Sequence, residues 1–189
     1  MGNLYIGLLH HPMRNRRGKV VTTSMTSMDV HDIARTAKTF GAIQYYVVTP
    51  LKTQREIARR LRGYWTEQER TSENTNRGEA LELVSVLDKL DEGILDIKDR
   101  EESDPLLVGT SARHLDERGM SYEEARRNLR EESDPMFVLF GTGWGMADEL
   151  TARLDYLLPP IEGTGEFNHL SVRAAVAVTL DRLRGSGQT

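Results

Sequence analysis

Short apolar runs alternate with stretches of helical spacing from one end of the chain to the other, and this pattern constrains the fold more than any other feature. Leu4–Leu9, Ile43–Val48, Leu106–Val108, Met136–Phe140 and Asp155–Leu158 read as strands. Connections between them are long enough to hold helices, the rhythm of an α/β protein with a mainly parallel sheet flanked by helices. With 189 residues the chain suits a single domain, residues 1–189. Within it, residues 1–100 carry a basic loop and helix, and residues 101–189 carry the glycine-rich loops. Hydrophobic residues make up 38% and charged residues 29%, a globular composition. There is no cysteine, which removes disulfides, thiolate metal sites and a cysteine nucleophile. No metal site is expected. No apolar run nears the ~20 residues of a membrane span, and the start lacks a signal-peptide build. A cytoplasmic protein without membrane contact is the expectation.

Asp29 is expected to cap a helix with Val30, Ile33, Ala34, Ala37 and Phe40 on one face, ended by Gly41. Thr49-Pro50 should open a second helix, with Ile57, Ala58, Leu61 and Trp65 inward. Thr66 to Arg77 reads as a loop. Arg77 to Asp91 reads as a helix, on the spacing of Ala80, Leu81, Val84 and Leu87. The string R-E-E-S-D-P occurs at Arg100–Pro105 and again at Arg130–Pro135, each time running into an apolar strand. Chance and duplication both account for it, and either way the two strands should end on the same side of the sheet. Ser121 and Glu124 form a capping-box pair for a helix through Leu129. Asn168 should start a last helix reaching about Arg184. It is apolar nearly all round, which places it at the centre of the fold or at a subunit interface.

Two glycine-bearing loops follow strands, Gly141-Thr142-Gly143-Trp144-Gly145 and Pro159-Pro160-Ile161-Glu162-Gly163-Thr164-Gly165. Ligands of open α/β sheets sit where such loops diverge, and glycine lets the backbone approach them closely. Neither G-x-G-x-x-G nor the phosphate-loop spacing is present, and G-x-S-x-G is also missing, which disfavours dehydrogenase and hydrolase readings.

Phe137 to Met146 resembles the second motif of the SPOUT methyltransferases. Leu157-Leu158-Pro159-Pro160-Ile161 with Asn168-His169-Leu170-Ser171-Val172 resembles the third, and Ile33 to Gly41 the first. As a whole the chain is similar to a small bacterial SPOUT group described as RNA methyltransferase-like. The resemblance implies a SPOUT-type fold with a C-terminal trefoil knot and a homodimer packed through the last helix. It also implies S-adenosyl-L-methionine as cofactor, held by Gly109, Thr110, Ser111, Gly141, Thr142, Gly143, Leu158, Pro160 and Ile161, with Leu170 closing the adenine side. The implied activity is methylation of structured RNA, tRNA or rRNA.

Methyl transfer to RNA needs a positioned nucleophile and, for most targets, a base. Arg35, Asn168 and Ser171 are the candidate catalytic residues; His169, Glu162 and Glu166 are alternative bases. Asn168 also suits a helix cap, and Arg35 a solvated surface. Arg14, Arg16, Arg17 and Lys19, in the long segment His10 to Met28, are the candidate RNA-binding residues. Lys52, Arg55, Arg59 and Arg62 form a second basic stripe, which a solvated helix face also explains. Ribose methyltransferases of the superfamily carry a glutamate in the second motif, where Gly143-Trp144 stands here. This leaves base and ribose methylation both open. It also admits a catalytically silent SPOUT-fold protein that binds a ligand or RNA, and the net charge of −4 suits that alternative.

Overall fold

The structure, a computed structural model, describes residues 2–68, 76–114, 118–132, 134–165 and 167–186. Its centre is a six-stranded sheet in the order β5-β4-β1-β7-β6-β8, formed by β1 (Leu4–Leu9), β4 (Gln44–Val48), β5 (Val84–Leu87), β6 (Leu106–Gly109), β7 (Met136–Gly141) and β8 (Tyr156–Leu157). Every pairing in it is parallel. β1 and β7 are buried along nearly their whole length, which explains their unbroken apolar runs: a central parallel strand has no solvent face.

Alternate residues of the strands feed two cores. On one face Leu4, Ile6, Leu8, Tyr45, Val47, Val138 and Phe140 meet α1 (Ser27–Thr39), α2 (Lys52–Gln68), α3 (Asn76–Glu82), α5 (Tyr122–Glu131) and α7 (Val172–Arg184). On the other, Tyr5, Leu9, Tyr46, Val48, Phe137 and Leu139 meet α4 (Leu90–Glu101) and α6 (Asp148–Thr151). α7 lies against both α1 and α5 and buries Val176, Thr179, Leu180 and Leu183, so its broad apolar surface serves the centre of one layer.

The repeated R-E-E-S-D-P strings explain themselves once β6 and β7 are paired. Leu106 lies directly beside Met136, so the two strings enter neighbouring strands in the same register, on the same side of the sheet. Both follow a helix, α4 or α5, but the chain leaves those helices differently. Glu102 is left-handed (φ 56°) and Glu132 is extended.

Several expectations are corrected. The N-cap of α1 is Thr26: its hydroxyl accepts from the Asp29 amide (3.2 Å), and the Asp29 carboxylate accepts from the Thr26 amide (3.1 Å). That reciprocal box makes Asp29 the third residue of the helix rather than its cap. In α2, Ala58 is buried and Leu61 and Trp65 pack on the core, but Ile57 is half exposed, because one residue's rotation carries it off the buried stripe. The helix runs on through Gln68, and α3 begins at Asn76, so the expected loop 66–77 is helical at both ends; residues 69–75 lie outside the described residues. The helix expected over Arg77–Asp91 is a short α3 followed by β5. Ala80, Leu81, Val84 and Leu87 fit helical spacing, yet pairing of Val84 with Tyr45 puts Val84 and Val86 in the core as alternate strand residues. The last helix starts at Val172, capped by Ser171, whose hydroxyl accepts from the Ala174 amide (3.3 Å). The Asn168 side chain instead donates to the Ala112 carbonyl (3.1 Å).

Candidate cofactor site at the carboxyl ends of the inner strands

The connection from β5 crosses to β6, leaving β7 to fill the place between β6 and β1. Loops therefore part from one another at the carboxyl ends of β1, β7 and β6, the usual ligand position of an open parallel sheet. A cavity of about 770 Å³ lies there. Its wall joins three loops: Thr110, Ser111 and Arg113 after β6; Gly141, Thr142, Gly143 and Trp144 after β7; Pro159, Ile161, Asn168, His169 and Leu170 after β8. Cross-loop bonds hold them together. Asn168 reaches Ala112, Arg113 Nη2 donates to the Trp144 carbonyl (3.2 Å), and His114 Nε2 meets Glu162 Oε1 at 2.6 Å.

The cavity thus gathers Thr110, Ser111, Gly141, Thr142, Gly143, Ile161, Leu170 and Asn168 from the expected set. Gly109, Leu158 and Pro160 stand behind the wall. An extended segment points successive residues to opposite sides. Leu157, Pro159 and Ile161 therefore face the cavity, while Leu158 and Pro160 are buried. Gly109 supports the site from beneath: a Cβ there would lie 2.3 Å from Leu154 Cδ1 and 2.9 Å from Leu157 Cδ2. Gly141 is similarly tight, with Met146 Cγ at 2.8 Å from such an atom. Ser171 caps α7 and is not on the wall. Arg35 is exposed on α1, about 9 Å along the helix axis from Asp29, and lies off the wall too. Glu162 is bonded to His114, and Glu166 lies outside the described residues.

The long segment after β1 is not a slack loop. β2 (Met13–Arg14) and β3 (Val20–Val21) pair as an antiparallel hairpin that grips the glycine loop: Arg14 N donates to Gly145 O (2.8 Å), and Trp144 N to Arg14 O (3.1 Å). Arg14 is half-buried and paired with Asp148, whereas Arg16, Arg17 and Lys19 are exposed at the hairpin tip. Of the second basic stripe, Arg55 is tied to Asp88 (2.9 Å) and Arg59 to the Val86 carbonyl (3.1 Å), both at the end of β5.

Thr23, Ser24 and Asp29 also reach the wall, as do Tyr122 and the α7 stripe Val172, Ala175 and Thr179; sequence reading missed all of these. The stripe had a signal, the helix apolar on too many sides. Thr23 had none, because its role depends on a buried chain of bonds. Thr142 Oγ1 donates to the Leu9 carbonyl (2.9 Å), so it can only accept from Thr23 Oγ1 (2.5 Å). Thr23 has then spent its proton and must accept from His10 Nδ1 (3.0 Å). His10 is therefore the neutral Nδ1–H tautomer. It is fully buried, and Nε2 has no partner among the described residues. Burial pushes its pKa down to about 4, against a smaller upward pull from the Asp29 carboxylate.

These features suit S-adenosylmethionine. Glycines without room for a Cβ bring main chain to the cavity surface, and Leu157, Ile161 and Leu170 offer an apolar slot. Asp29 also lines the wall, with its carboxylate held by Thr26 and Arg173. Among the described residues, no group of three or more histidines, aspartates or glutamates could hold a metal ion. No helix there is long and apolar enough to cross a membrane.

A small-molecule cavity over the carboxyl ends of a parallel sheet, walled by loop backbone, defines a ligand-binding α/β protein. The chain belongs to the family of SAM-dependent RNA methyltransferases, whose family model matches residues 3–185. It is 42% identical over 181 residues to an uncharacterized protein of Aquifex aeolicus, covering 96% of this chain and 88% of that one. To a tRNA (guanine-N(1)-)-methyltransferase of Oleidesulfovibrio alaskensis it is 42% identical over 183 residues, 97% of this chain but only 42% of that protein. Its fold matches a SpoU methyltransferase of Streptomyces viridochromogenes solved in complex with the cofactor AdoMet, with a TM-score of 0.59 at 15% identity, covering 96% of this chain and 56% of that one. Fold class, cofactor and enzyme class thus agree with the SPOUT resemblance.

Proposed function

We propose that this protein methylates a nucleotide of structured RNA, tRNA or rRNA, using S-adenosylmethionine held in the cavity at the ends of β1, β7 and β6. The cavity itself carries the reading: its glycine backbone and apolar slot suit the cofactor of the family to which the chain belongs. Bound there, the cofactor supplies an electrophilic methyl group on a sulfonium. The chain's own part is to exclude water with Leu157, Ile161 and Leu170, to present backbone at Thr142 and Thr110, and to place Asn168 beside the reacting groups. Asn168, Ser171 and Arg35 are the proposed catalytic set. Arg35 stands outside the wall, so its part rests on the first-motif resemblance. Arg16, Arg17 and Lys19, exposed at the hairpin tip, are proposed to meet RNA phosphates. Arg14 belongs to the same strip but spends its charge on Asp148.

The same reading includes a trefoil knot in the C-terminal part, a homodimer through α7, and action in the cytoplasm. Ala174, Ala177 and Val178, only partly buried on α7, support the dimer. Because the chain spans less than half of the tRNA methyltransferase it matches, that protein's guanine specificity is not carried over.

Calorimetry with S-adenosylmethionine tests the cofactor site, and no binding by the folded protein would sink it. Transfer of labelled methyl groups to total RNA from cells lacking the protein tests the reaction. Tight cofactor binding with no RNA labelled would favour a silent binding protein.

A further inference from the structure

Trp144 is held in a way that a merely structural tryptophan would not need. Its backbone is clamped on both sides: the amide donates to Arg14 O (3.1 Å) and the carbonyl accepts from Arg113 Nη2 (3.2 Å). Gly143 (φ 63°) and Gly145 (φ 97°) flank it in left-handed conformations, so the chain turns sharply outward there. The indole nevertheless joins neither core and is 54% exposed while lining the cavity. A rigid backbone presenting a large aromatic face to solvent costs burial that Trp144 could otherwise have gained.

We infer that Trp144, with Arg113 beside it, is the platform on which the base of the target nucleotide stacks, which makes it a substrate-positioning residue. This rests on the reading of the protein as an RNA methyltransferase. Three features argue for a nucleobase rather than the cofactor. First, Thr142 is tied to the Leu9 carbonyl, while Trp144, beyond the left-handed Gly143, lines the cavity and stays half exposed, so the indole lies where the cavity meets solvent. Second, the surroundings complement a polyanion: the exposed Arg113 side chain donates to the Trp144 carbonyl, and the hairpin that clamps Trp144 ends in exposed Arg16, Arg17 and Lys19. Third, half-exposed Leu170 also lines the cavity, so part of its wall beyond the Trp144 loop meets solvent as well. Bases stack on exposed aromatic faces regardless of sequence, and an adjacent guanidinium binds phosphate, so a tryptophan–arginine pair suits a nucleotide drawn out of its helix.

The chain has two tryptophans, Trp65 and Trp144. Trp65→Phe therefore leaves Trp144 as the sole reporter, and its emission is titrated separately with S-adenosylmethionine and with total tRNA from cells lacking the protein. We expect quenching by RNA without cofactor, and Trp144→Ala to raise the KM for RNA about tenfold or more with cofactor Kd changed less than about twofold. Trp144→Phe should recover most of the loss. Quenching by S-adenosylmethionine with loss of its affinity in Trp144→Ala would assign the indole to the cofactor and overturn the inference. So would an RNA titration without quenching. Should Trp65→Phe not fold, the difference in quenching between the native protein and Trp144→Ala reads the same contact. A protein that binds RNA through Trp144 but transfers no methyl group would refute the proposed reaction and leave the stacking contact standing.

Discussion

His10 should make the stability of this protein depend on pH in a range where most carboxylates are still ionised. The side chain is fully buried and neutral, bonded through Nδ1–H to Thr23, with a pKa of about 4. In the unfolded chain the ring returns to its ordinary value near 6.5. Between those two values the unfolded state binds the extra proton, so stability is full above about pH 6.5 and falls as pH drops towards 4. The loss relative to neutral pH is about 1 kcal/mol at pH ~5.5 and about 2 kcal/mol at pH ~4.5, levelling near 3 kcal/mol below pH ~4. This is a large share of the ~5–15 kcal/mol that holds a domain together. Urea unfolding of the native protein and of His10→Asn across that range measures it. The asparagine keeps an N–H for Thr23 and removes the titrating ring. It costs stability at every pH through the space it leaves, but its stability should lack this slope. If both proteins lose stability in parallel from pH ~7.5 to ~4.5, His10 is not the buried neutral group described.

Gly109→Ala should cost about 1–3 kcal/mol, because the new Cβ lies within 3 Å of both Leu154 Cδ1 and Leu157 Cδ2 beneath the cavity floor. Thermal unfolding reads that loss, and a melting point unchanged from native would mean those leucines shift freely. Thr26→Ala removes the capping box of α1 and should cost about 1 kcal/mol in urea unfolding; no loss would make Asp29 its own sufficient anchor. Arg35→Ala is expected to abolish methyl transfer to RNA while leaving calorimetric affinity for S-adenosylmethionine within about twofold; it is exposed and off the cavity wall. Equal loss of both would show that Arg35 serves the cofactor or the fold.

Sheet class was legible because β1 and β7 are central. Strands buried on both faces must be apolar throughout, and Leu4–Leu9 and Met136–Gly141 are. The capping box at Ser121 and Glu124 was legible as well, since its partners lie three residues apart and meet by local geometry alone. β5 was not. Ala80, Leu81, Val84 and Leu87 keep helical spacing across α3 and β5 alike, and only the presence of β4 alongside makes residues 84–87 a strand. The glycine loops pointed to the cavity, because glycine reports where backbone must come close. Which residues of those loops face the ligand was settled by the direction in which each strand leaves the sheet, and so Pro159 is on the wall while Pro160 is behind it.

Local chemistry by itself thus determined the strands of the interior, the Ser121–Glu124 cap and the place of the glycine loops. Tertiary structure alone decided the rest. Thr23 reaches Thr142 across 119 residues of chain, His10 loses its charge through burial, and Arg14 is claimed by Asp148. The energies behind all three come from groups distant in sequence that only the folded sheet brings within bonding distance.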